Sequence, residues 1–335
     1  MTAGWAMKRA LYHSGLLALA RLARQRVRAL VLRYHAITEG GADVPYAAPD
    51  VCLSADAFRL QMAFVRRAYS VVSLDQLVDA VRSGRALPPR AVAITFDDGY
   101  ADNHRLAAPI LDRYGLTATV YVSTGPLDGG PPLWMAAIRA LVQHAAADVL
   151  ELPGHEPIAL GPRGRREAAV RAVTRALVPL DPAKRAEQIA AAAARHHVDV
   201  AAVLAGSMLD WAAVRALAAA GWTIGAHTVS HPNVALAPVR DAEAEIAGSR
   251  DAIAAGIGSP PQHFAYPNTG GQHRYFDADV ARLVARLGFR SAVTSRPGAL
   301  RPGADPFMLP RLGVSPRLAP VIDLAAALER QRLAA

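Results

Sequence analysis

Residues 91–100 read Ala-Val-Ala-Ile-Thr-Phe-Asp-Asp-Gly-Tyr, a short apolar and β-branched run that leads directly into two adjacent carboxylates and a glycine. A continuous run of this length has the character of a strand buried on both faces, as in a parallel sheet. Comparable runs recur at Ala29–Tyr34, Thr117–Val122, Thr223–Ala226, His263–Tyr266 and Ser291–Thr294, with helical stretches between them. Alternation of strand and helix predicts an α/β fold with a parallel sheet or barrel. The punctuation agrees: Ser73 with Gln76 makes a capping box before a helix that ends near Gly84, and Asp210 caps a helix that ends at Gly221.

The rhythm breaks from about residue 126 to about residue 208. There, Pro/Gly-rich joints at Gly129–Pro132 and Gly161–Gly164 separate helical stretches around Trp134–Ala146, Arg165–Leu177 and Pro182–His196. This segment reads as a helical insertion into a main unit spanning 29–335. Within 335 residues a full core is available, and 52 % hydrophobic against 19 % charged residues is a globular composition. The single cysteine, Cys52, excludes an internal disulfide framework and any multi-cysteine zinc site, so a metal would rely mainly on histidine and carboxylate. No uninterrupted apolar run reaches the roughly 18 residues a spanning helix needs.

The formal charge is +9, from 37 basic and 28 acidic residues, and only Lys8 and Lys184 of the basic ones are lysine. Lys8, Arg9, Arg21, Arg24, Arg26, Arg28 and Arg33 fall within the first 38 residues with no acidic residue among them, so most of the excess lies there. The rest of the chain is nearly neutral and carries no basic stripe, which sets nucleic-acid binding aside. Arg21, Arg24 and Arg28 recur at helical spacing opposite Leu16, Leu19 and Ala23, so residues 1–28 read as a basic amphipathic helix. It would either pack on the main unit or touch a membrane surface. Without a convincing small-residue cleavage site, the expected location is the cytoplasm or the inner face of a membrane. Oligomeric state is not legible.

Three segments at the ends of expected strands carry chemistry. Asp97 and Asp98 are costly to hold side by side unless a cation or shared proton relieves them, which points to a metal or an acid/base role; an Asp capping the following helix is the competing reading. Gly225-Ala226-His227-Thr228-Val229-Ser230-His231-Pro232 places two histidines at i and i+4, a spacing that lets two imidazoles share a metal. The third segment is Phe264-Ala265-Tyr266-Pro267-Asn268-Thr269-Gly270.

Together the Thr-Phe-Asp-Asp-Gly and His-Thr-x-x-His segments resemble the motifs of the polysaccharide deacetylase (NodB homology) superfamily, carbohydrate esterase family four. The third segment resembles a Phe-Ala-Tyr-Pro-Asn-Gly motif with Thr269 added, and the likeness covers roughly 29–125 and 205–315. It implies a distorted (β/α) barrel and metal-dependent removal of an acetyl group, N-linked by expectation, from a carbohydrate or polysaccharide. Asp98, His227 and His231 would bind a divalent metal, zinc by expectation, and Asp97 would be the general base. Thr228 would hold the histidine loop. The backbone N–H of Asn268, after Pro267, would face the oxyanion, with Tyr266 and Tyr100 near the substrate. Two departures stand out. Where many members carry an arginine that orients the base this chain has Ala265, so Arg311 is the substitute; and no late acid histidine is visible, so His35 is the alternative proton donor. The rivals are a same-fold hydrolase of an O-acetyl ester or small non-sugar amide, and a catalytically silent carbohydrate-binding protein.

Overall fold

The computed structural model describes residues 29–40, 44–162, 166–268, 274–301 and 303–334. The basic amphipathic helix expected over 1–28 lies outside these residues, as do Thr269 and Gly270 of the third motif. In chain order the strands are β1 (Leu30–Tyr34), β2 (Ala36–Thr38), β3 (Cys52–Ser54), β4 (Ser70–Val71), β5 (Ala91–Phe96), β6 (Thr119–Val122), β7 (Val149–Leu150), β8 (Ile158–Ala159), β9 (Thr223–Ala226), β10 (His263–Ala265), β11 (Ser291–Val293) and β12 (Leu312–Gly313).

The main sheet runs β11-β10-β9-β6-β5-β1-β12, with β4 paired to the start of β5 and every pair parallel. It curls until one short segment joins its two edges. The Leu309 N–H donates to Ala292 O at 3.0 Å and the Thr294 N–H to Leu309 O at 2.8 Å, whereas Leu312 and Gly313 pair with Leu32 and Arg33 of β1. Residues 309–313 therefore bridge β11 and β1, with Arg311 between the two attachments. This is the expected distorted (β/α) barrel.

Side chains along the strands alternate between two apolar layers, as a pleated backbone requires. Val31, Ala93, Tyr121, Ala265, Val293 and Leu309 fill the interior, while Leu32, Tyr34, Ile94, Phe96, Val120 and Phe264 face the helices outside. The small interior alanines leave room for two large groups, Tyr121 and Arg311, both fully buried. Gly225 makes part of that room, since a Cβ there would stand 2.4 Å from the Tyr121 ring. Helix signals act as read: Ser73 and Gln76 form the capping box of the helix Leu74–Ser83, which ends on Gly84 at φ 71°, and Asp210 accepts the Ala213 N–H at 2.7 Å.

The insertion folds around its own apolar cluster, including Ile138, Leu141, Leu150, Val173, Leu177 and Ile189. Its helices are Trp134–His144, Glu167–Leu177, Pro182–Arg195 and Val200–Val203, and it also holds the antiparallel β7–β8 pair. That hairpin, the parallel β2–β3 pair and β12 were not expected from the sequence; at two or three residues each they are too short to show a period. Strand β6 starts at Thr119 rather than Thr117, and β10 ends at Ala265, which leaves Tyr266 just beyond it. No helix among the described residues is long and apolar enough to cross a membrane.

Candidate active site

All three motif segments leave the C-terminal ends of their strands, β5, β9 and β10, at one mouth of the barrel, where such folds collect functional groups. After Phe96 the chain turns sharply: Asp98 has φ 73° and Gly99 φ 85°. A left-handed aspartate is strained and persists because its surroundings fix it. The Ser123 N–H donates to Asp98 O and the Leu209 N–H to Gly99 O at 2.9 Å, so the chain on either side of the insertion helps to hold the turn.

The two carboxylates separate into different environments. Asp97 takes a bidentate pair from Arg311, Nη1 to Oδ1 at 2.6 Å and Nη2 to Oδ2 at 2.7 Å. Arg311 is itself fixed by Nε donating to Thr294 O at 2.9 Å and Nη1 to Thr95 Oγ1 at 3.2 Å. Burial pushes the Asp97 carboxyl up, but the Arg311 charge first, then that of His227 and the Arg311 hydrogen bonds, reverse that and bring its pKa down to about 2. Asp98 instead faces His227 Nε2 and His231 Nε2, each 3.3 Å from its Oδ1. Burial again raises, and the contacts with the two histidines outweigh it, so Asp98 is held well below the usual range.

These three side chains offer ligand atoms within 4.8 Å of one another, all buried, so they could hold a metal ion. Two ring nitrogens converging on one carboxylate oxygen are favourable only with a proton or cation between them. His227 Nδ1 lies 2.8 Å from Ala265 O and serves as donor there, which leaves the Nε2 lone pair directed at the cluster. The donor set therefore fits a divalent cation.

The histidine turn is itself strained, with Thr228 at φ 66° and His231 at φ 58°. Thr228 Oγ1 donates to His227 O and accepts the His231 N–H at 3.0 Å. Glu245, on the helix Val239–Ile257, accepts the Val229 N–H at 2.9 Å, the Ser230 N–H at 2.8 Å and the Ser230 hydroxyl at 2.6 Å. Trp134 of the insertion donates Nε1 to His231 O at 3.0 Å. Glu245 and Trp134 were not singled out from the sequence, and no local signal marks them, because both contacts depend on elements packing together.

His35, just past β1, places Nε2 3.9 Å from Asp97 Oδ2, and burial lowers its pKa to about 4. Tyr100 is buried, its hydroxyl donating to Tyr46 O at 3.5 Å; burial first and the nearby Asp98 carboxylate second push its pKa well up. Pro267 is buried and Asn268 exposed, both just beyond β10. Tyr266 corrects the expectation of a substrate contact. It is fully buried, stacked on Phe276 with its hydroxyl donated to Phe307 O at 2.9 Å, so its side chain packs the core.

The fold and site together define a class of α/β protein: a curled parallel barrel whose mouth carries a carboxylate–arginine pair beside an Asp/His/His cluster that could hold a metal ion. The polysaccharide deacetylase family model matches residues 84–145 and 180–292, and the chain belongs to that family. The unmatched 146–179 falls inside the insertion. Among solved structures the chain is similar to the Streptococcus pyogenes deacetylase PplD in complex with acetate, with TM-score 0.59, 18 % identity and coverage of 90 % of this chain and 99 % of that one. It is also similar to IcaB from Ammonifex degensii, with TM-score 0.57, 19 % identity and coverage of 91 % and 98 %. In sequence it is 33 % identical over 86 residues to the poly-beta-1,6-N-acetyl-D-glucosamine N-deacetylase of Escherichia coli K12; the match spans 25 % of this chain and 12 % of that protein.

Proposed function

We propose that the protein hydrolyses an N-acetyl group from a carbohydrate, with a divalent cation, zinc by expectation, held by Asp98, His227 and His231. The observation that carries this reading is the division of labour between adjacent carboxylates: Asp97 is held ionised by Arg311, while Asp98 is turned to two histidines. When bound, the cation supplies Lewis acidity toward water and the acyl oxygen. Asp97 is the general base, and its carboxylate accepts the proton of the attacking water. Arg311 fixes the plane of that carboxylate and keeps it ionised at neutral pH. The Asn268 N–H, beyond β10, is assigned to the developing oxyanion.

His35 is the proton donor toward the departing nitrogen. Because burial leaves it neutral at rest, the proton it delivers must arrive during the reaction, and Asp97, 3.9 Å away, is the source at hand. The relay carries the water proton from Asp97 to His35 and on to the amine. The E. coli relative, named for N-deacetylation of a poly-N-acetylglucosamine, supports an acetylated polysaccharide as substrate class. The test is release of acetate and free amine from N-acetylglucosamine oligomers, measured beside O-acetylated sugars, with and without a chelator. Turnover confined to the O-acetyl sugars, or unaffected by complete metal removal, overturns the reading.

A further inference from the structure

Arg33 lies on the face of β1 that Val31 turns into the barrel, one pleat nearer the mouth. Arg33 is half-buried as a whole, and three buried arginines elsewhere are better supplied with acceptors. Arg166 donates to the carbonyls of Gly161, Val142, Ala145 and Ala147, Arg185 to those of Leu177, Val178 and Leu180, and Arg311 to Asp97, Thr95 and Thr294. Arg33 has one acceptor, Ser295 Oγ, reached by Nη1, and its Nε is buried with no partner. No ion pair among the described residues includes it, because Asp97 is taken by Arg311 and Asp98 by the two histidines. Gly313 makes the space it occupies, since a Cβ there would stand 2.9 Å from Nη2. Burial, and next the charge of Arg311, pull its pKa down, while Asp97, Tyr275 and Asp98 are near enough to oppose them.

Desolvating a guanidinium without a counter-charge is unfavourable, and an arriving anion relieves it. Resting on the proposed deacetylation, we propose that Arg33, with the hydroxyls of Ser295 and Tyr275 beside it, is a subsite for an anionic group, carboxylate or phosphate, carried by the substrate next to its acetamido group. The Tyr275 hydroxyl accepts the Ser295 N–H at 2.8 Å, which keeps its proton free to donate. Two arginines balance two aspartates at this mouth, so a divalent cation on the Asp/His/His cluster leaves it positive. A neutral sugar offers nothing to offset that charge, whereas a uronate or a sugar phosphate does.

Binding is measured by calorimetry on metal-loaded Asp97→Asn protein, to prevent turnover, with and without Arg33→Met and with Arg33→Lys. The probes are N-acetylglucosamine linked to glucuronic acid, N-acetylglucosamine bearing a phosphate, and a neutral N-acetylglucosamine oligomer. At least one anionic probe is expected to lose about 10- to 100-fold in affinity with Arg33→Met, with partial recovery in Arg33→Lys and a change under about 2-fold for the neutral one. The probe that suffers distinguishes carboxylate from phosphate. Equal losses on anionic and neutral probes, no loss, or no binding of either anionic probe to the parent overturns the subsite. Turnover of the three probes by the unmodified enzyme is scored separately: its absence counts against deacetylation, while the affinity ratio still decides the role of Arg33.

Discussion

Replacing Arg311 by Met removes the guanidinium that pairs with Asp97 and leaves a buried carboxylate without its hydrogen-bonded counter-charge. In the native protein the Asp97 pKa is about 2 against an ordinary 3.8, a depressed value that stabilises the fold above pH 3.8 and is lost as pH falls toward 2. At 1.36 kcal/mol per unit this is about 2 kcal/mol. The variant reverses the sign, since burial alone raises the carboxyl and its ionised form then destabilises the fold at neutral pH. With the Thr294 carbonyl also left without its donor, the total cost at pH 7 is about 3–5 kcal/mol. Urea unfolding of metal-free protein at pH 7 and near pH 3 measures it. The gap between native and variant should be widest at pH 7 and narrow in acid, where a protonated Asp97 no longer needs the cation. In the metal-loaded enzyme the acid limb of the pH–rate profile should move upward. A gap that is the same at both pH values, or an unmoved acid limb, would refute the assignment of Arg311 as the group that keeps Asp97 ionised.

Asp97→Asn should leave metal affinity nearly intact while lowering turnover about 10²- to 10⁴-fold, whereas Asp98→Asn should weaken metal binding itself; equal metal loss in both refutes the division of roles. Glu245→Gln, which weakens the brace on the Val229–Ser230 backbone, should lower metal affinity about 10-fold or more with little change in unfolding midpoint, read by competition with a chromogenic chelator. His35→Ala should slow amide hydrolysis more than hydrolysis of an activated ester, whose leaving group needs no proton; equal losses remove His35 from that role. Gly225→Ala should cost about 1–3 kcal/mol in thermal or urea unfolding, because its Cβ meets the Tyr121 ring, and an unchanged midpoint would show that the interior yields there.

Local pattern determined the alternation of parallel strands and helices and the helical stretch between about 126 and 208, and the resemblance of the motifs implied the barrel and the grouping of Asp97, Asp98, His227 and His231. These features are written locally: buried parallel strands are short apolar runs, helix ends carry capping residues, and each motif lies within a few residues of chain at a strand end. Tertiary structure decided what each side chain touches. Asp97 and Asp98 are neighbours in sequence, yet their opposite surroundings come from a bridging segment 214 positions away and from a histidine turn on another strand. Motif order suggested Arg311 as the partner of Asp97, but only closure of the barrel through residues 309–313 brings its guanidinium to the carboxylate. The support that Glu245 and Trp134 give the histidine turn, and the burial of Tyr266 behind the site, likewise follow from packing between elements. Local pattern reports how a segment is buried; which atoms meet inside that burial depends on the register and closure of the whole sheet.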